Sequence, residues 1–408
     1  MRPEAGKSYA CRNLDRDGQR RSSSGGIYPL LAGAVLEDGG AVYAVRFYDD
    51  YHIGHCRVTT KEELAATVGS KYAASVPDAV LGEAARDLKD GRKVFFVGTP
   101  CQCAGFLSYL EENRISRENL LCMDFVCHGT PSDQTWQTYL TRAVADREKI
   151  TGINMRDKTN GWIEYSLRID AGDETVVSSR RENPYILAFV ANLDLRPSCY
   201  ECPFKGVGRP TDLTVGDYWG VKRFAPGSYD RDGVSLLLVH TDSGAQKIAE
   251  IADRIHMEEA VLGEAVRSNP CITGASRRPA KREEFLKMLR DGVAFETAAE
   301  RALHRSLLEK AGGRIRRALG RKKAAGAGGG AGAFVPLPEE TDPPVLFARK
   351  EECCGCTACR QICPAGAIDL VQDEEGFVYP RISADKCVGC RRCVQVCPMH
   401  RPAGWSQF

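Results

Sequence analysis

The chain has 408 residues, 43% of them hydrophobic and 27% charged, which is more than one ordinary domain needs and enough apolar material for globular cores. A formal charge of +2 is too small to point at nucleic acid or an anionic lipid surface. No apolar run approaches the roughly 20 residues of a membrane span, and residues 1–24 are polar and Arg-rich without an apolar signal segment, so a cytoplasmic chain is expected.

In chain order, Ser24–Gly25–Gly26 precedes an apolar helical run over 27–36. Residues 40–48 and 52–59 read as two strands joined by a turn at Asp49–Asp50. A short apolar run, 93–97, ends in Gly98–Thr99–Pro100, and another, 120–126, ends in Cys127–His128–Gly129. The pattern predicts a helix over 132–145 and a hairpin from 165–169 and 175–179 around Gly172–Asp173. A strand at 234–240 and a helix at 243–255 follow. Buried strands ending in cysteine-bearing turns suit a site built at strand ends, in a mixed α/β (α+β) core.

Residues 296–323 read as a basic helix interrupted at Gly312–Gly313, which we expect to be a solvated helix closing the first domain. The stretch 324–333, AAGAGGGAGA, has no side chains with which to build a core and reads as a flexible linker, and the Pro- and Glu-rich 335–344 as an extended continuation. The expected organisation is a core over 1–295, a basic helix and linker over 296–345, and a separate C-terminal domain over 346–400.

The 18 cysteines decide the chemistry of that last domain. Disulfides are rare in a reducing cytosol, so metal binding or redox work is the default reading. Cys353-x2-Cys356-x2-Cys359-x3-Cys363-Pro364 recurs as Cys387-x2-Cys390-x2-Cys393-x3-Cys397-Pro398. This is the run of a bacterial two-cluster ferredoxin, in which the fourth cysteine ligates the other cluster. Cys353, Cys356, Cys359 and Cys397 are therefore assigned to one [4Fe–4S] cluster, and Cys387, Cys390, Cys393 and Cys363 to a second. Pro364 and Pro398 stop a helix from running through the ligand turn, and residues 367–370 and 378–380 would supply a small hairpin. Zinc is the competing reading, but it takes four ligands from two separated pairs, not a four-cysteine run used twice. Cys354 is spare: a small buried residue beside the cluster, or an alternative ligand.

Four further cysteines sit in conspicuous turns: Cys101 in TPCQC, Cys127 in VCHGTP, and Cys199-x2-Cys202. By type alone they admit one more cluster, one zinc ion, or unrelated buried thiols, and either Cys101 or Cys103 can be the member from the first turn.

GTPCQ, DFVCHGTP, RDKTNGW (156–162), LRPSCYECPFKG (195–206) and DLTVGDYWG (212–220), with Ser22–Ser23–Ser24–Gly25–Gly26 and Gly69–Ser70–Lys71–Tyr72, together resemble the beta-subunit family of coenzyme F-420 hydrogenases and dehydrogenases. The resemblance runs over about residues 8–290. It implies bound FAD, a third [4Fe–4S] cluster on Cys101, Cys127, Cys199 and Cys202, and electron exchange with a two-electron partner. Some members reduce chlorophyll-type pigments, so family does not fix substrate. Members with a ferredoxin module usually carry it ahead of the core; here it follows, so the domain order is swapped.

Clusters move one electron at a time and hydride acceptors take two, so a flavin is the natural converter between them. Ser24, Gly25 and Gly26 before an apolar helix can offer amide donors and a positive helix end to a pyrophosphate, with Lys71 as a point charge and Thr99 counted among the contacts. An ordinary helix cap is the alternative reading of the serine–glycine turn. No G-x-G-x-x-G follows a strand, so no Rossmann-type NAD site is visible. Arg156, Lys158 and Lys205 are candidates for phosphate or acidic-substrate contacts, with surface charge as the other reading. His128 is a candidate proton donor near the flavin or a structural hydrogen-bonding residue; Asp217 and Trp219 would form part of the flavin wall or simply pack. No Cys-x3-Cys-x2-Cys run marks S-adenosylmethionine radical chemistry. The expected protein is an FAD-dependent iron–sulfur oxidoreductase served by an external electron carrier and a small redox substrate. The alternative is a non-catalytic electron-transfer subunit docking on a partner oxidoreductase.

Overall fold

Two runs almost free of charge make the centre of the main sheet: VFFVG in β4 (Val94–Gly98) and LLCMDF in β5 (Leu120–Phe125). Their side chains alternate between two apolar layers, Phe96, Leu120 and Cys122 on one face, Phe95, Leu121 and Met123 on the other. Apolar residues on both faces are what a parallel strand covered on both sides requires. The computed structural model describes residues 3–303 and 342–401. The 324–333 linker, the Gly312–Gly313 interruption and the larger part of the basic helix lie outside the described residues; its beginning falls in the helix Phe295–Leu303.

Around β4 and β5 stand β1 (Ser8–Asn13), β2 (Ala41–Phe47), β3 (Ile53–Val58), β9 (Leu213–Asp217), β10 (Ser235–Val239) and β11 (Ile255–Glu259), in the order β11-β1-β10-β9-β5-β4-β2-β3. β2, β4, β5 and β9 are mutually parallel, and the remaining strands pair antiparallel. Between β5 and β9 the chain leaves the sheet to form a three-stranded antiparallel sheet of β6 (Ile150–Asp157), β7 (Ser166–Ala171) and β8 (Glu174–Ser179). Helices Ala79–Lys89 and Pro100–Glu112 cover one face of the main sheet; Ile27–Glu37 and Asp242–Glu250 cover the other. This is a mixed α/β fold.

The helix expected over 243–255 divides. It ends at Glu250, passes through a short 3-10 turn, and at Ile255 the chain becomes β11, because Ile255–Glu259 pairs with β1 and Ile255 enters the apolar layer. Sequence reading also placed no strand at β1, β6, β9 or β11, whose side chains are mixed and whose burial comes from their neighbours.

The C-terminal domain is a hairpin of β12 (Ile368–Gln372) and β13 (Val378–Ile382) flanked by two one-turn helices, Ala358–Gln361 and Arg392–Gln395. It docks on the outer side of the helices Ala79–Lys89 and Pro100–Glu112, where Ala358, Ile362, Val394 and Val396 join Leu81, Phe106 and Leu110 in one apolar cluster. Gly105 shows how close the approach is: a Cβ there would lie 2.6 Å from Cys356 Cβ and 2.7 Å from its Sγ. Polar clamps complete the joint. The buried Arg282 donates to both carboxylate oxygens of Glu375, and Gln361 Nε2 donates to Asp78 Oδ1 at 2.9 Å. Among the described residues no helix is long and apolar enough to cross a membrane.

Candidate functional site

Because β2, β4, β5 and β9 run the same way, their C-terminal ends meet at one edge, the usual ligand edge of an open α/β sheet. The turn after β4 carries Thr99 and Cys101, that after β5 Cys127 and His128, and that after β9 Trp219, with Asp217 as the last strand residue. Thr99 caps the helix Pro100–Glu112 in a reciprocal arrangement with Gln102, and Pro100 fills the first helical position, so the helix starts where Cys101 must be held.

Cys101 and Cys127 meet Cys199 and Cys202, on and just after the 3-10 turn Pro197–Glu201, around one cavity, with His128, Phe204 and Lys205 also in its wall. The expected foursome is thus brought together from three separate segments. Cys103 is turned away: its Sγ contacts Met123 O at 3.6 Å inside the sheet layer. Burial first, then the neighbouring thiols, push the Cys199 thiol up to about 12. Soft sulfur donors spread around a cavity, not collapsed onto a point, fit a cluster.

Cys353, Cys356, Cys359 and Cys397 line a second cavity with Phe347, Leu370 and Val378. Cys363, Cys387, Cys390 and Cys393 line a third with Ile368, Ile382 and Val388. Each set therefore takes its fourth cysteine from the other half of the repeat. Cys354 lies in the walls of both the first and second cavities. The outermost set reaches solvent, with Cys390 exposed and Val388 67% exposed.

The expected flavin contacts gather at the same sheet edge, though several are committed inward. Ser24 Oγ donates to Val234 O at 3.0 Å and Gly25 N to Ser235 Oγ at 2.9 Å. Gly26, with φ +84°, begins the helix Ile27–Glu37, whose first turn has no side-chain cap. Lys158 spends its ammonium on three carbonyls, of Gln19, Ser24 and Asp232, at 2.6 to 2.9 Å, and burial followed by the charge of Arg156 lowers its pKa to about 7. In this arrangement it tethers the serine–glycine turn. Lys71 donates to Val68 O and Gly69 O, and burial lowers its pKa to about 8. Arg156 pairs with Asp217, Nη1 to Oδ2 at 2.6 Å, and its buried Nε has no partner. Asp217 also accepts from Trp162 Nε1 at 2.7 Å, and Trp162 stacks on Trp219 at 5.0 Å between centroids. Trp219 is 38% exposed and offers a flat apolar face to the edge. His128 packs edge-on against Phe189, Nδ1 faces Cys271 Sγ at 3.6 Å, and burial lowers its pKa. Lys205 donates to the carbonyls of Cys127 and Cys271, bracing the cysteine turn.

Sequence reasoning assigned no individual role to Arg196, Met399, Trp162 or Tyr72. Arg196, at the head of the cysteine turn, donates to Cys353 O at 2.8 Å and reaches Cys353 Sγ at 3.7 Å, with its guanidinium over the Tyr379 ring. An arginine three residues before a Cys-x2-Cys pair was the available signal. A cleft of about 730 Å³ opens at the opposite sheet edge, lined by Lys7, Arg117 and His240 among others, and holds none of these groups.

Residues 91–263 match the family described as the C-terminal part of coenzyme F420 hydrogenase/dehydrogenase beta subunits, and residues 347–402 match the 4Fe-4S dicluster domain. The chain is thus similar to F420 hydrogenase/dehydrogenase beta subunits over residues 91–263 and to 4Fe-4S dicluster domains over residues 347–402. The beta-subunit match takes in Cys101, Cys127, Cys199, Cys202, Arg156, Asp217 and Trp219, whereas the serine–glycine turn and Lys71 precede it. No curated protein matches the chain. Among solved structures it is similar to a chain of the F420-reducing [NiFe] hydrogenase complex from Methanosarcina barkeri, at 14% identity and a TM-score of 0.47, over 70% of this chain and 92% of that one.

Proposed function

We propose that the chain is a cytoplasmic FAD-dependent iron–sulfur oxidoreductase. It passes electrons between its [4Fe–4S] clusters and a two-electron partner, coenzyme F420 or another small redox molecule. The observation that carries this reading is the convergence of Cys101, Cys127, Cys199 and Cys202 on one cavity at the sheet edge, with Cys354 of the dicluster domain in its wall. Three cavities, each with its own four cysteines, then stand between the exposed Cys390 and the flavin edge.

The residues fit a flavin in kind. The uncapped first turn of Ile27–Glu37 offers amide donors and a positive helix end for a pyrophosphate. Arg156 holds an unpartnered buried N–H, and Trp219 presents an aromatic face. When bound, the flavin supplies the conversion between single electrons and electron pairs. Around it Asp217 fixes the Arg156 guanidinium and the Trp162 indole, and Lys158 fixes the serine–glycine turn.

Anaerobic purification tests the proposal. Three [4Fe–4S] clusters mean about twelve iron atoms per chain, in a yellow-brown protein whose flavin absorption survives bleaching of the clusters. Iron without flavin would refute the oxidoreductase reading. The exposed Cys390 set favours a second reading, an electron-transfer subunit docking on a partner enzyme. A monomer that turns over acceptor alone argues against it.

A further inference from the structure

The cavities assigned to the core cluster and to the nearer dicluster cluster share a wall made by Cys354 and Met399, both of which line each of them. Met399 is 2% exposed and packs with Phe204 and Ala104 against Cys101, Cys202, Cys354 and Cys397, which closes the wall to water. Cys354 shares an apolar cluster and a cavity wall with Cys101 on one side and with Cys356 on the other. The joint is tight by construction, since Gly105 leaves space for Cys356, and Gly355, at φ +74°, leaves space for the Arg196 guanidinium. A thiol that is not needed to complete either foursome therefore stands in the wall between the two.

We propose that Cys354 is the bridge between the two clusters, a positioning residue whose thiol hydrogen-bonds to a cluster ligand and so sets potential and electronic contact across the domain joint. This rests on the core cluster proposed above. Hydrogen bonds to ligand sulfurs are among the levers that set cluster potential, and donating one favours the more negative, reduced cluster. Cys354 gives no electron of its own and forms no bond. It fills the gap with a polarizable sulfur where an alanine would leave a void.

The experiment uses the anaerobically reconstituted full chain, in wild-type form and as Cys354→Ala, Cys354→Ser and, as a packing control, Met399→Leu. Iron and labile sulfide are counted, and the clusters are titrated by electron paramagnetic resonance at controlled potential. The expected result is iron content equal in all four and a downward midpoint shift in Cys354→Ala for at least one of the two adjoining clusters. Cys354→Ser should return part of that shift because its hydroxyl donates, and Met399→Leu should show none. Loss of about four iron atoms per chain in both Cys354 variants would make the residue a ligand and overturn the bridge. Full iron with unchanged midpoints would reduce it to packing and overturn it too. A wild-type chain holding only about eight iron atoms would sink the core cluster itself, a failure distinguishable from the other two.

Discussion

Replacing Arg282 by alanine tests the joint between the two domains. Arg282 is 1% exposed and sends Nη1 to Glu375 Oε1 at 2.8 Å, Nη2 to Glu375 Oε2 and to Leu195 O at 2.9 Å, and Nε to Tyr200 Oη at 3.0 Å. Glu375 lies in the β12–β13 turn and its side chain is 13% exposed. Removing one partner of a buried pair costs about 3–5 kcal/mol, because the other charge stays desolvated. The slight exposure of Glu375 places Arg282→Ala toward the lower end. Glu375→Ala strands the guanidinium, and the double variant should recover about 1–3 kcal/mol relative to the sum of the single costs. Hydrogen exchange of the β12 and β13 amides in the anaerobic protein reads undocking directly. A cost for Arg282→Ala under about 1 kcal/mol, or strict additivity of the two variants, would refute the clamp.

Asp194 gives a pH signature. Burial raises its pKa to about 7, and neither carboxylate oxygen has a hydrogen-bond partner. The unfolded carboxyl loses its proton near pH 4 while the folded one keeps it to about 7, so this group's stabilisation is complete below pH 4 and lost as pH rises to about 7. Asp194→Asn should flatten that slope, worth about 4 kcal/mol in all; an unchanged urea midpoint against pH would contradict it. Cys101→Ala should release about four iron atoms and Cys103→Ala none, since Cys103 faces Met123 in the sheet layer; iron analysis separates the two. Arg196→Gln removes a cation and a donor beside Cys353, and should lower the midpoint of the nearer dicluster cluster in a redox titration.

Much of the site was legible because its chemistry is written as local spacing. The two four-cysteine runs announce which thiols share a cavity, and the turns after β4 and β5 were visible as mostly apolar runs stopping just before cysteines. Strands β1, β9 and β11 were not legible, because they are short and gain their burial from partners far away in sequence. The same holds for the fates of the basic side chains. Lys158 and Arg156 look alike in RDKTNGW, yet one spends all its donors on carbonyls and the other keeps a buried N–H without a partner. Nothing local distinguishes them, since the three carbonyls come from residues 19, 24 and 232. Whether a cysteine points into a cavity is likewise a matter of helix phase: Cys101 and Cys103 lie two residues, about 200°, apart around their helix.

The way the C-terminal domain seats on the core bears on what the connection between them has to do. Its grip comes from surfaces remote in sequence: Cys356 against Gly105, Glu375 in the hold of Arg282, Cys353 under Arg196. None of these needs the covalent connection to enter from a particular end. A covalent connection therefore contributes local concentration, while orientation is encoded in the two faces. The docking faces themselves, rather than the connection, hold the three sulfur-lined cavities in their present relation.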